Sequence, residues 1–555
     1  MSRISWIFLI FVLLSSCITL GAEEKETVYR EELEIPIDTS NPVSRNYPID
    51  ISVSFEHPCW AIDEVNRSVR VFVYHDNEYR EIESQIYDLE HIDREHIRSC
   101  RIVFLIPEFA DGSEKYFVFY SSRKSSIPRY KDHVSIREGR FYYEPIRGYG
   151  ADIRYYLIEE DGYSPFIVCY DGSVTGIRFP QRIVKLKEGS SNPSPNNWLT
   201  AATFALSYVK GKGLSGVGSM ERLIERGVII DGNLMVRFFI KTESHDRNLE
   251  TRNVYTYYYS PVHEKRLIVK SFQRIKEGRV SYGTLAQGGI IATMMTSVIR
   301  SNNIPELNTG ISIPYLHFLS EEGVIKEYSF PSDVSGRKYE WIILPKDDED
   351  LGETPWVSMD FGEDGEAFAM VFTNTSVFSK GRRGLQISAG LTRWIDMPGL
   401  LVKGMGISVG RNSYEGGKEV LTLPSNLSAS FVSEFYYTKG GYEKVQAESV
   451  LFNKVFSKLK YDDSRSRKGV GKRKGFNLTV IPSLQGISRP LLAMISRYPI
   501  PVLTVNVFKD GKLISSSVSK RYRLIRLERR GNGLGLRLDI RNFSILQEAR
   551  FPQLE

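Results

Sequence analysis

The sequence predicts a mainly β protein: a large antiparallel super-sandwich flanked by two smaller β-domains. Three observations lead there. From residue 50 onwards short stretches alternate apolar and polar side chains, turn dipeptides such as Asp76-Asn77, Asp111-Gly112 and Asp510-Gly511 separate them, and helical spacing is convincing only over Ile290 to Arg300. Ten or more long strands without crossover helices cannot pair in parallel, so they stack as antiparallel sheets.

The chain has 555 residues, enough for several domains and a large core, and its 31 Tyr and 29 Phe favour strands. Residues 1–22 place Arg3 ahead of an apolar run and then small residues, the layout of a secretory signal peptide. The expected location is therefore extracytoplasmic, secreted or on the cell surface. Leu14-Ser15-Ser16-Cys17 also resembles a lipobox, which would make Cys17 a lipid anchor; cleavage after Gly21 and an uncleaved anchor are the other readings. No later segment is long and apolar enough for a membrane helix.

Residues 30–123 read as the first β-domain, from IDISVSF through SVRVFVYHDNEYREI and CRIVFLIP to ADGSEKYFVFYSS. Cys59 and Cys100 bracket it. Outside the cytoplasm they are expected to pair and leave Cys169 over, a closure that would contribute about 4 kcal/mol; three buried thiols are the alternative. Residues 134–455 form the super-sandwich, with strands such as RYYLIEE, SPFIVCY, NLMVRFFIKTES, NVYTYYYS, KRLIVKSFQRI and ASFVSEFYYTK. A Gly-punctuated charged linker, 461–475, leads to a small sandwich-like domain at 476–555. From Lys454 onwards there are 22 Lys and Arg against 7 Asp and Glu, although the whole chain nets only +6. That basic region either meets an anionic envelope surface or is simply well solvated. Nucleic acid is not expected as a partner.

The order SVRVFVY, YREIESQIYD and CRIVFLIPEFADGSEKYFVFY, followed by GVIIDGNLMVRFFIKTE and RNVYTYYYSPVHEKRLIVKSF, resembles the β-domains of polysaccharide lyases and related proteins. In those proteins the large region has the galactose-mutarotase-like super-sandwich fold. The likeness covers roughly residues 50–455 and implies a polysaccharide or other glycan as partner. Many such lyases also carry a helical toroid that holds much of the active site, and this chain has no room for one.

Candidate chemistry is sparse. Gly211, Gly213 and Gly216 match GxGxxG and Asp231 lies 20 residues beyond Gly211, as at a dinucleotide site, yet Asp231-Gly232-Asn233 reads as a hairpin turn between two strands. Acidic clusters at Asp347, Asp348, Glu349 and Asp350, and at Asp360, Glu363, Asp364 and Glu366, either offer oxygen ligands for calcium or are solvated turns. No other cofactor is expected. The eight histidines form no HExxH and have no GxSxG beside them, so zinc-protease and esterase readings fall away.

In NVYTYYYS the tyrosines Tyr255, Tyr257 and Tyr259 are two apart and so share one strand face. They are either the wall of a β-core, the reading the residues favour, or a platform on which sugar rings stack. Substrate contact on the second reading would come from Tyr255, Tyr257, Tyr259, His263, Trp356 and Trp394. In a uronate lyase, His317 and Tyr315, neighbours on one face of ISIPYLHFLSEE, would transfer the proton and Arg266 would hold the carboxylate. A structural His317 is the plainer alternative. Function is thus expected to be either an exported carbohydrate-active or carbohydrate-binding protein acting on an extracellular polysaccharide, with uronic-acid-lyase-like chemistry as one form of it, or a non-catalytic cell-envelope sandwich used for binding or adhesion.

Overall fold

The computed structural model describes residues 28–457 apart from interior gaps, the longest at 205–220, 282–290, 302–312, 331–338 and 409–419, together with strand backbones between 503 and 539. Met1–Lys458 form one compact unit and Leu459–Glu555 another. The chain is mainly β and its sheets are antiparallel.

At the N-terminal end a four-stranded sheet, ordered Val28–Leu33, Lys115–Ser121, Arg70–His75, Glu78–Ile82, faces a three-stranded sheet of Pro48–Trp60, His96–Leu105 and Ser84–His91. Strict alternation sends Val71, Val73, Tyr116, Val118 and Tyr120 inwards, where Phe104 lies 5.7 Å from Tyr116 and Phe55 4.6 Å from Tyr120. The turn at Asp76 and Asn77 has both residues at positive φ, 51° and 63°, which suits the twist of a two-residue hairpin.

The large region is two ten-stranded sheets. Sheet I runs Tyr339–Ile343, Gln386–Arg393, Leu400–Ser408, Ile291–Ser301, Trp198–Thr203, Arg182–Leu186, Tyr163–Asp171, Tyr149–Glu160, Val134–Ile146, with Glu349–Asp350 beside Gln386–Arg393. Sheet II runs Glu221–Asp231, Met235–Ser244, Leu249–Tyr258, Lys265–Ile275, Ser428–Thr438, Ala367–Phe372, Trp356–Asp360, Tyr315–Leu319, Ile325–Ser329, with Val377–Phe378 beside Ser428–Thr438. Between them Phe166 meets Tyr257 and Phe435 at 5.9 and 5.7 Å, and Tyr156 meets Phe238 at 4.8 Å. Those contacts are the main core.

The other face of sheet II is covered over part of its area, while Phe272 and Glu327 on it stay open. The three-stranded N-terminal sheet lies on part of it, with the Tyr258 hydroxyl donating to Asp50 at 2.6 Å. The hairpin at Asp231-Gly232-Asn233 is clamped there too. Gln85 Oε1 accepts from the amides of Leu234 and Met235, and a Cβ on Gly232 would fall 2.2 Å from Gln85 Nε2. Helix α1 (Gly441–Phe456) lies on a second part, against Ala367–Phe372, Trp356–Asp360 and Ser428–Thr438, burying Val445, Glu448, Ser449, Phe452 and Phe456 at helical spacing. Gly441, at φ 64°, makes the sharp entry; a Cβ there would meet the Glu363 carbonyl.

Two expectations are corrected. Residues Ile291–Ser301 are a strand, paired on both sides by Trp198–Thr203 and Leu400–Ser408, and a helix falls instead at 441–456, where polar side chains buried on its inner face break the apolar stripe. Cys59, Cys100 and Cys169 are free, buried thiols. Cys59 stands opposite Ile97 and Cys100 opposite Val53 across an irregularity in pairing, so the two are not set face to face, and Cys59 Sγ lies 3.6 Å from Ser68 Oγ. Burial pushes the Cys59 thiol up to about 12, against a smaller lowering by Ser68. The tyrosine row meets the favoured reading instead: Tyr255 and Tyr257 have no exposed surface and belong to the core between the sheets, so the alternative role in substrate contact falls away for these two. The linker 461–475 lies outside the described residues, as does the turn at Asp510-Gly511, although Lys509 and Lys512 pair on either side of it. The described C-terminal strands form two hairpins, Leu503–Lys509 with Lys512–Ser519 and Arg523–Arg530 with Gly533–Asp539.

The tyrosine row yields a stability test. Tyr257→Ala should cost about 3–5 kcal/mol, as large aromatic truncations in cores do. Tyr257→Phe, which removes only the hydroxyl's 2.9 Å bond to Glu160, should cost about 1–3 kcal/mol. Chemical denaturation measures both; equal, negligible losses would place the ring at the surface.

Candidate functional site

Pairing register decides where the proposed catalytic side chains meet. Arg266 stands opposite Tyr436, Tyr436 opposite Ala369, Ala369 opposite Ser358, and Ser358 opposite His317. Directly opposed residues project to the same side, so Arg266 and His317 share the covered face of sheet II. They are also four strands apart. At ~4.8 Å per strand that is about 19 Å, several times the width of one sugar ring.

His317 is 1% exposed. Its Nδ1 lies 3.0 Å from both carboxylate oxygens of Asp360, its Nε2 lies 3.0 Å from Glu327 Oε2, and the Tyr442 ring of α1 stacks on it at 4.0 Å. Burial alone would lower the imidazole's pKa, but the two carboxylates outweigh it and raise it. Tyr315, half-buried, sits 6.0 Å from the imidazole. Arg266 is buried and gives Glu448 two bonds, at 3.1 and 2.7 Å, while the Tyr47 hydroxyl donates to Glu448 at 3.0 Å. Glu434 lies beside this group. Burial, and then the charge of Glu448, raises its pKa well above the usual carboxylate range.

The remaining candidates are dispersed. Trp356 is fully buried on the covered face of sheet II. Tyr259 is half-buried, stacks on His133 at 4.0 Å and donates to Asp161 at 3.1 Å. His263 is exposed in the turn that follows. Trp394, the glycines at 211–216, Asp347 and Asp348 lie outside the described residues. Of the acidic cluster, Asp360 holds His317 and Glu366 accepts from Tyr437 at 2.6 Å. Among the described residues no three His, Cys, Asp or Glu side chains converge as metal ligands would.

A polar cluster at one end of the sandwich escaped the sequence reading. Glu160 accepts from Tyr163, Tyr257, Lys265 and the Ser260 amide at 2.6–2.9 Å. Nearby, Lys185 Nζ lies 4.4 Å over the Tyr437 ring and donates to the Leu186 carbonyl. Burial, then the charge of Lys265, pushes the Lys185 amine down to about 8. A lysine inside the otherwise apolar run IVKL was the available signal. Glu160 is consumed by its four donors, so it is not free to act as an acid or base.

No protein-family model matches the chain, and no curated protein matches it either. Among solved structures it is similar to a glycosyl hydrolase family 38 protein of Enterococcus faecalis, at 8% identity over 77% of this chain and 47% of that one, TM-score 0.35. It is also similar to an α-mannosidase of Enterococcus faecalis (11% identity, 73% of this chain and 44% of that one, TM-score 0.34). A family 36 α-galactosidase of Geobacillus stearothermophilus overlaps at 12% identity, 55% of this chain and 41% of that one, TM-score 0.25. The chain spans less than half the length of each. Overlaps this partial bear on neither chemistry nor ligand.

The His317 cluster predicts a pH dependence with a definite sign. Its folded pKa is raised, so its contribution is complete below the ordinary value near 6.5 and is lost as pH rises through the folded value. The melting-temperature gap between the wild type and His317→Asn should therefore narrow from pH 6 to pH 9. A gap that stays constant or widens would show that the imidazole is not held charged.

Proposed function

We propose that this is an exported, glycan-binding β-sandwich protein that binds its ligand without cleaving it. One observation carries the choice against a lyase: His317 and Arg266 lie four strands apart on a covered face, each committed to internal carboxylates. A lyase base and the cation that stabilises its enolate must reach the same sugar unit. Here they do not. Export rests on Arg3 and the apolar run that follows it.

A glycan is the favoured ligand because rings stand open on the surface beside charged side chains. Tyr142 is 58% exposed and Tyr79 44%, with Phe272 and Phe361 at 39% each. Flat aromatic faces take the apolar face of a pyranose, and neighbouring charges take its hydroxyls. A lyase-like or galactose-mutarotase-like sandwich kept as a scaffold fits that reading. The basic region beyond Lys454 would hold the protein against an anionic envelope surface.

Two assays on the mature chain decide between binding and cleavage. Incubation with pectic, alginate and glycosaminoglycan polymers should release no unsaturated product, while a glycan array should show retention of at least one polymer. Unsaturated product that disappears in His317→Asn would instead establish the lyase.

A further inference from the structure

We propose that the outer face of the four-stranded N-terminal sheet is the glycan platform, with the Tyr79 ring at its centre and a near-neutral sugar chain as its ligand; this rests on the glycan-binding reading above. The three-stranded sheet covers the opposite side of this small sandwich. The outer side therefore faces away from the core.

Register lays the face out as a grid. One row is Arg30, Phe119, Arg70; the next is Glu32, Phe117, Phe72, Glu81; the third brings Lys115, Tyr74 and Tyr79 together. Phe117 and Phe72 hold the two middle positions, Arg70 and Lys115 flank the other rings on the inner strands, and the Tyr79 ring reaches inwards from the edge strand. Phe72 lies 4.8 Å from Phe119, Tyr74 4.8 Å from Tyr79, and Tyr79 meets Phe117 and Phe119 edge-on at 5.7 and 5.6 Å. Arg30 donates to the Tyr79 hydroxyl at 2.7 Å and its guanidinium lies 5.0 Å over Phe117. Tyr79 is thereby held by its edge and its tip, yet remains 44% exposed. A ring fixed in place loses little freedom when a ligand stacks on it.

The charges select the ligand. Arg70 pairs with Glu81 at 2.9 Å and Lys115 with Glu32 at 3.6 Å, so donors and acceptors alternate around the rings with little net charge. Arg70 and Lys115 are already paired with Glu81 and Glu32, so a polyanion would gain only Arg30 while meeting both carboxylates, and an extended peptide would add to a sheet edge rather than lie on its face. A chain of hydroxyl-bearing rings suits both the apolar middle and the mixed margin. The segment after the sheet borders the platform, since Arg70 donates to the Ser126 carbonyl and Tyr130 donates to Glu81 at 2.7 Å.

Calorimetric titration of the mature full-length chain with cellohexaose, xylohexaose and mannohexaose, and with an oligogalacturonate as the anionic counterpart, tests this. Binding to a neutral hexasaccharide should fall at least tenfold in Tyr79→Ala, survive in Tyr79→Phe and weaken in Arg30→Gln, with melting temperatures little changed. Arg30→Gln also serves should Tyr79→Ala fail to fold. Neutral-sugar binding that persists in Tyr79→Ala and Arg30→Gln would overturn the platform and leave the glycan-binding reading intact. Preference for the oligogalacturonate would overturn the ligand assignment. A wild type that binds no sugar, here or on the array, would overturn both. Self-association that Tyr79→Ala abolishes in the absence of sugar would assign the face to a second copy instead.

Discussion

Glu448 is the interaction on which the arrangement depends. It projects from α1, takes two bonds from Arg266 of sheet II and one from Tyr47 of the N-terminal sandwich, and is 1% exposed. An ion pair removed from water is costly to assemble and more costly to break, about 3–5 kcal/mol when one partner is deleted. The covered face of sheet II therefore stays covered only while three parts of the chain contribute to it together. Asp50 repeats the pattern nearby, accepting from Tyr87, Tyr258 and Arg101 at 2.6–2.9 Å. Both carboxylates are saturated by internal donors, as polar groups at this depth have to be.

The same saturation explains why the site was harder to read than the fold. Strand content follows from period-two alternation and turn dipeptides, which are local properties, and hairpins such as those at Asp76-Asn77 and Asp231-Gly232-Asn233 stand where those dipeptides place them. That Tyr315 and His317 share a face is local too. The distance from His317 to Arg266 is not, because it is set by pairings such as Arg266 with Tyr436, 170 positions away in the chain. Nothing in a window of sequence reports which strands intervene.

Local reasoning failed where tertiary pairing or buried polarity overrode it. Ile291–Ser301 carries Met and Ala that suit a helix, yet strands on both sides recruit it into sheet I. In α1 the buried stripe includes Glu448, Ser449 and Asn453, so its apolar period was disguised by the very residues that bind sheet II and its neighbours. Spacing alone could not choose between wall and platform for Tyr255 and Tyr257, since both faces of their strand are buried. The N-terminal rings carried the same spacing, Phe117 with Phe119 and Phe72 with Tyr74, on a sheet with only one covered face.

Function, on this account, lies on that uncovered face, and the polar interior of the large sandwich serves packing. Hydrogen–deuterium exchange with and without a saturating oligosaccharide tests the division most directly. Added protection confined to Arg70–His75, Glu78–Ile82 and Lys115–Ser121 is the predicted result. Protection concentrated instead in Tyr315–Leu319 and Trp356–Asp360, around His317, would contradict it.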